Sequence, residues 1–108
     1  MKTMRIATFI VLFLTALNTV ASIDFDGLVG YTVIAATHIT GEFEGADYDK
    51  LVKLDNGMIF EWMTYHYHYA YHPAVVVFGK NVTLNGKTAT VYKIWIEDDE
   101  ALDAIRVR

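Results

Sequence analysis

The chain contains no cysteine and a single proline. The absence of thiols excludes disulfide bonds, thiolate metal sites and cysteine-based nucleophilic catalysis. Small secreted domains often use disulfides to compensate for a limited core, so this chain must depend on packing instead. Its many aromatic and β-branched residues make such packing feasible.

Basic residues are also few. The chain has 9 Lys and Arg but 13 Asp and Glu, so its formal net charge is −4. A net acidic chain with scattered basic residues is poorly suited to binding a nucleic-acid backbone or an anionic membrane surface. The sequence also lacks a phosphate-binding glycine loop, a GxSxG elbow and an HExxH helix. We therefore predict that the protein is not an enzyme and does not bind nucleic acid.

The start of the chain has the three-part pattern of a signal peptide. Lys2 and Arg5 precede the apolar run Ile6–Leu17, and small residues suited to signal peptidase follow it. The run is too short to span a bilayer comfortably, although an uncleaved anchor or a buried core segment are alternatives. We expect residues 1–21 to be removed and residues 22–108 to form one periplasmic or secreted domain without a membrane span.

The remaining chain has the pattern of an all-β domain. Alternating apolar residues predict a long strand over Leu28–Ile39. Two Asn-Gly pairs, Asn56-Gly57 and Asn85-Gly86, predict hairpins with tight type I′ turns. The other predicted elements are strands at Asp49–Leu54, Met58–Thr64, Ala74–Phe78, Val82–Leu84, Lys87–Ile96 and Ala104–Val107, with at most one helical turn over Glu97–Asp103, and an acidic loop over 41–47.

These elements favour a small SH3-like barrel of five to six antiparallel strands after the signal peptide. An OB-fold normally carries a helix between its strands, and no long segment has helical periodicity here. A two-sheet sandwich with few strands is the alternative architecture.

The segment Tyr65–His72 alternates tyrosine and histidine almost without interruption. If it is extended, tyrosines line one face and histidines the other. The apolar phase of Phe60 and Trp62, carried forward, places the histidines on the core face, where unpaired imidazoles are costly. We therefore expect either a bulge near Met63-Thr64 that turns the tyrosines inward, or an aromatic rim beyond the barrel end. Both interpretations place the histidines near solvent.

A row of exposed aromatic rings is typical of surfaces that bind peptides or sugars. The predicted binding surface consists of Tyr65, Tyr67, Tyr69, Tyr71 and Trp95. Trp95 shares its face of the strand with Lys93, although apolar residues on both faces are also common in small curled sheets. The first hypothesis is a non-enzymatic binding module for a protein or peptide of the cell envelope, or for a saccharide.

The second hypothesis is transition-metal binding in the periplasm. His66 and His68 lie at i and i+2, so on a strand both imidazoles point to one side and can bind zinc or copper. A third ligand has to come from His38, His72 or a carboxylate of the acidic loop, because a zinc site normally needs three or four. Rings packed across neighbouring strands explain the same alternation without a metal or other cofactor.

Three short stretches carry a resemblance to known proteins, namely Asp47-Tyr48-Asp49-Lys50, Leu54-Asp55-Asn56-Gly57, and Tyr69-Ala70-Tyr71-His72-Pro73 through Val77-Phe78. In these stretches the chain resembles small, signal-bearing bacterial proteins of the envelope or secreted space. Such proteins carry no assigned activity, so the resemblance implies an exported bacterial setting and assigns no functional residues.

Overall fold

The computed structural model describes residues 26–108, and within them the protein is all-β with no α-helix. The predicted signal peptide lies outside the described residues. No helix in the described part of the chain is long and apolar enough to cross a membrane. A 3-10 turn, Asp26–Leu28, precedes the strands β1 Thr32–His38, β2 Glu42–Phe43, β3 Leu51–Lys53, β4 Ile59–Trp62, β5 Ala70–Tyr71, β6 Ala74–Leu84, β7 Lys87–Ile96 and β8 Ala101–Arg106.

Six strands form one antiparallel sheet in the order β1-β6-β7-β8-β4-β3, and β2 pairs with β5 in a separate two-stranded sheet. The six-stranded sheet curls into a half-barrel until its two edge strands meet at one end. There the Thr40 amide donates to the Lys53 carbonyl at 3.0 Å, and the Asp55 amide donates to the His38 carbonyl at 2.9 Å. We call this contact between residues 38–40 and 53–55 the seam.

The two Asn-Gly hairpins form as predicted, but with different turns. Asn85 and Gly86 both have positive φ, at 53° and 78°, which confirms the type I′ turn between β6 and β7. Between β3 and β4 only Gly57 has positive φ, at 92°, so the type I′ prediction is wrong there. The Asn56 side chain accepts a hydrogen bond from the Met58 amide at 3.1 Å, which stabilises a longer loop ending in the left-handed glycine.

Strand β6 continues through the position where the sequence predicted its end. Gly79 lies inside the strand and pairs with Thr32 on one side and Tyr92 on the other. The side chain of Ile34 packs over Gly79, so that a Cβ placed on Gly79 would lie only 3.0 Å from Ile34 Cγ1. The glycine therefore makes room for a neighbouring side chain rather than ending the strand.

The sequence allows at most one helical turn over Glu97–Asp103, and the structure has no helix there. A short turn, with Asp98 at a φ of 58° and the Asp99 amide bonded to the Ile96 carbonyl at 3.0 Å, leads directly into β8. Strand β8 begins at Ala101, which pairs with Trp95, so the connection between β7 and β8 is this short turn.

The core lies on the concave side of the curled sheet, where alternate residues of each strand point inward. Phe60, Trp62 and Ile94 are each at most 1% exposed, as their strand phase predicts. No polar or charged residue of the described chain is buried. Within residues 26–108 the core cluster consists of Ile39, Phe43, Ala46, Val52, Leu54, Met58, Phe60, Trp62, Val75, Val77, Ile94, Ile96, Leu102 and Ala104. Each fully buried large side chain contributes about 1.5–3 kcal/mol, which lets the fold form without disulfides.

Candidate functional site

The tyrosine-rich segment is half of an antiparallel ribbon that the sequence did not predict. Glu42 pairs with Tyr71 and Phe43 with Ala70 in β2 and β5. Two backbone hydrogen bonds between Ala46 and His66, at 2.8 and 2.9 Å, extend the pairing further. We call residues 42–46 and 65–71 the tyrosine ribbon.

The inner side of the tyrosine ribbon packs onto the core. Phe43 is 3% exposed, and its ring lies 5.8 Å from the ring of Trp62. The flanking glycines and the acidic residues of this stretch predict a loop instead. Its one signal of a strand is the alternation Glu42-Phe43-Glu44, in which an apolar residue stands between two acidic ones.

Gly45 allows the two halves of the tyrosine ribbon to approach closely. Its φ is 97°, and an added Cβ would lie 2.7 Å from the His66 carbonyl oxygen. That same carbonyl accepts the hydrogen bond from the Ala46 amide. A side chain at position 45 is therefore excluded both by the backbone conformation and by the neighbouring chain.

All four tyrosines of the ribbon point away from the core. Tyr65, Tyr67, Tyr69 and Tyr71 are 64%, 84%, 61% and 76% exposed. The alternation of burial that begins at Trp62 continues in phase through residues 63–70, so the prediction that the tyrosines turn inward is wrong and the exposed aromatic rim is what forms. The four rings therefore lie on the outer face of the tyrosine ribbon.

Carboxylates lie beside these rings on the same face. Glu42 and Glu44 are both exposed, on either side of the inward-pointing Phe43. The hydroxyl of Tyr69 donates to Glu42, and this hydrogen bond, reinforced by the negative charges of Glu42 and Glu44, raises the pKa of Tyr69 above its usual 10.0. The outer face of the tyrosine ribbon therefore combines aromatic rings with negative charge.

Trp95, the fifth residue of the predicted surface, lies elsewhere on the sheet. It is half-buried in β7, opposite Val76 and Ala101. No aromatic ring within residues 26–108 packs against it, and its indole N–H is buried without a hydrogen-bond partner there. Its participation in binding stays a prediction.

The histidines of the ribbon pair with acidic residues from the turn between β7 and β8. His66 Nε2 lies 2.8 Å from an Asp99 oxygen, and His66 Nδ1 lies 3.2 Å from Glu100 Oε1. His68 Nδ1 lies 3.5 Å from the same Asp99 oxygen. The His66 and His68 side chains are only 22% and 30% exposed, so they are half-buried rather than solvent-facing, and these contacts offset the cost of burying them. We call His66, His68, Asp99 and Glu100 the ribbon cluster. It anchors the tyrosine ribbon to the main sheet.

The other two predicted histidines lie at the seam. The rings of His38 and His72 stack with their centroids 4.5 Å apart and their planes 12° from parallel. His72 Nε2 lies 2.6 Å from Asp55 Oδ2, and the Thr40 hydroxyl donates to Asp55 Oδ1 at 2.7 Å. The hydrogen bond with His72 and, to a smaller extent, the one from Thr40 hold the pKa of Asp55 below its usual 3.8. We call His38, Asp55 and His72 the seam cluster.

The structure therefore divides the four histidines named from the sequence into two pairs, each joined to an aspartate. Asp55 and Asp99 were not named as site residues. They are 17 and 33 residues from their histidine partners along the chain, so no local pattern connects them.

Comparisons of the chain with protein-family models, with curated proteins and with solved structures find no match. The function therefore has to be inferred from the geometry of the tyrosine ribbon and of the two histidine clusters.

Proposed function

We propose that the protein is an exported, non-enzymatic binding module in which the tyrosine ribbon captures a basic peptide segment of a partner protein in the cell envelope. The observation that carries the proposal is the row of four tyrosines, 61–84% exposed, in the segment that pairs with residues 42–46 through β5 and the Ala46–His66 bridge, beside Glu42 and Glu44. An SH3-like barrel is the scaffold that we propose for it, because the curled antiparallel half-barrel is compatible with that fold.

Exposed tyrosines supply a large contact area at a small entropic cost. Each ring has only two side-chain torsions to immobilise, and a tyrosine hydroxyl can add a hydrogen bond where it is not already paired, as that of Tyr69 is with Glu42. The backbone beneath the rings is already ordered by the β2–β5 pairing, by the Ala46–His66 bridge and by the ribbon cluster. A partner that binds here does not have to order the surface, which favours affinity.

The charge on this surface favours a basic ligand. Residues 41–47 and 65–73 contain no Lys or Arg, and Glu42 and Glu44 lie next to the exposed rings. Lys and Arg side chains are attracted to the faces of tyrosine rings and form ion pairs with carboxylates. A saccharide is the rival ligand, because it can stack on the rings without using the charges.

Isothermal titration calorimetry with hexalysine, hexaarginine, hexaglutamate and a neutral hexasaccharide tests the proposal. We expect the two basic peptides to bind, with an affinity that falls as salt is raised, and the acidic peptide not to bind. The Tyr67→Ala/Tyr69→Ala variant should lose at least tenfold in affinity, whereas the Tyr67→Phe/Tyr69→Phe variant, which keeps the rings, should lose little.

Two charge variants complete the experiment. Glu42→Gln/Glu44→Gln should weaken binding and flatten its salt dependence, whereas Glu61→Gln, on β4 between Leu51 and Ile105, is the matched control and should change neither. Basic-peptide binding that is unchanged in the Tyr→Ala variant would remove the tyrosine ribbon as the binding surface. Binding of the saccharide alone would replace the proposed partner with a sugar.

A further inference from the structure

The geometry points to a binding site for a divalent transition-metal ion of the Zn²⁺ and Cu²⁺ type at the seam, with His38, Asp55 and His72 as its ligands. Each residue offers one ligand atom, and these atoms lie within 4.8 Å of one another. The site adjoins the end of the tyrosine ribbon, where the His72 ring lies 6.4 Å from the Tyr71 ring, and it goes beyond the proposed function.

The spacing of the ligand atoms is close to what a metal requires. Ligands at zinc distances of about 2.0–2.2 Å, in a tetrahedron, are about 3.4 Å apart. The atoms of the seam cluster range from 2.6 Å, for His72 Nε2 and Asp55 Oδ2, to at most 4.8 Å. Movements of roughly 1 Å therefore suffice. All three side chains are exposed, so they can make these movements without disturbing the core.

The donor types select the class of ion. Two imidazoles and one carboxylate, with water in the fourth position, are a ligand set that zinc commonly takes. Copper and nickel also favour imidazole, whereas calcium and magnesium prefer oxygen ligands alone. The Thr40 hydroxyl already orients Asp55 through Oδ1 and leaves Oδ2 facing His72. Hydrogen bonds of this kind to a ligating carboxylate strengthen metal sites.

The backbone holds the three ligands at one place. The Asp55 amide donates to the His38 carbonyl at 2.9 Å, and the His72 amide donates to the Gly41 carbonyl at 2.8 Å. Ile39, next to His38, donates to the carbonyl of Pro73, next to His72, at 3.0 Å. An ion bound here connects the end of β1, the β3–β4 loop and the residue pair before β6. Because the ion binds only the folded arrangement, it should stabilise the closed seam.

The ribbon cluster is the competing location, since His66 and His68 have the His-x-His spacing. Both ring nitrogens of His66 already face carboxylates, at 2.8 and 3.2 Å. The side chains of His66 and His68 are also less exposed than that of His72 at the seam. A metal there has to displace the contacts that anchor the tyrosine ribbon. The seam cluster is therefore the more accessible site.

Calorimetry and thermal melting with zinc, copper and nickel chlorides test the proposal, with calcium and magnesium chlorides as ions that should not bind. We expect one transition-metal ion per chain and a melting temperature that rises with its concentration. The His38→Ala/His72→Ala variant should lose at least tenfold in affinity together with the melting shift. The matched control, His66→Ala/His68→Ala, should keep both.

Two single variants and one NMR measurement keep the test decisive if the double variant folds poorly. Asp55→Asn should weaken binding at least tenfold, and Thr40→Val should weaken it by roughly tenfold through the loss of its hydrogen bond. NMR of the imidazole nitrogens in the unaltered protein should show zinc-dependent shifts at His38 and His72. Wild-type binding no tighter than about 100 μM, or zinc shifts confined to His66 and His68, would overturn the proposal.

Discussion

Replacing Gly45 with alanine should destabilise the protein more than the same change at any turn glycine. Gly45 has a φ of 97°, and an added Cβ would lie 2.7 Å from the His66 carbonyl oxygen. Gly57 and Gly86 also have positive φ, but no atom lies within 4 Å of a Cβ built at either position. The three alanine variants therefore separate the effect of backbone conformation from the effect of close approach.

The expected size follows from these contacts. Alanine in a left-handed conformation costs about 1–2 kcal/mol, and the lower entropy of its unfolded chain offsets about 0.4–1 kcal/mol. Gly57→Ala and Gly86→Ala should thus lower the free energy of unfolding by about 0.5–1.5 kcal/mol. At Gly45 the carbonyl must also move, which weakens the two Ala46–His66 hydrogen bonds, worth about 0.5–1.5 kcal/mol each. The total there is about 2–4 kcal/mol.

Urea unfolding followed by tryptophan fluorescence measures the difference, because the buried Trp62 reports on the core. We expect a lower midpoint for Gly45→Ala with an unchanged slope. A midpoint equal to that of Gly57→Ala within error would refute the close approach between Gly45 and His66, and with it the paired arrangement of the tyrosine ribbon.

Three further predictions concern named contacts. Phe43→Ala should lower the free energy of unfolding by roughly 3–5 kcal/mol in urea titrations, because it removes a buried ring from the contact with Trp62; a loss below about 1 kcal/mol would count against that packing. The pKa of Asp55 is depressed, so its stabilising contribution is present above pH 3.8 and is lost as the pH falls through the folded-state value. The gap in urea midpoint between wild type and Asp55→Asn should therefore close on acidification, and a gap that stays constant would contradict the His72 and Thr40 hydrogen bonds. Tyr69 should ionise above 10.0 in NMR titrations of its ring and return toward that value in Glu42→Gln, whereas no change in Glu42→Gln would exclude the hydrogen bond.

Local signals in the sequence were enough to predict most of the main sheet. The period-2 burial of Phe60 and Trp62 and the Asn-Gly pair at Asn85-Gly86 depend on neighbouring residues only, and the structure has both. The errors arose where a neighbour distant in sequence decides the outcome. The sequence predicts that the strand ends before Gly79, but Gly79 pairs on both sides within β6, and its missing side chain makes room for Ile34.

The candidate site was predictable in composition but not in arrangement. The unusual run of tyrosines and histidines was visible, and its alternation gave the correct two faces. Its partner strand was not visible, because β2 has only two residues and pairs across a long connection. The aspartates that pair with the histidines lie in turns far away in sequence, so only the tertiary structure shows that His66 is anchored and that His72 faces Asp55.

An NMR titration of the ¹⁵N-labelled protein with hexalysine, followed through the backbone amides, tests directly whether the tyrosine ribbon binds a basic peptide. We expect the shifts to concentrate in the tyrosine ribbon, at residues 42–46 and 65–71, and to disappear in the Tyr67→Ala/Tyr69→Ala variant. Shifts that concentrate outside these residues, or that persist in that variant, would contradict the proposal.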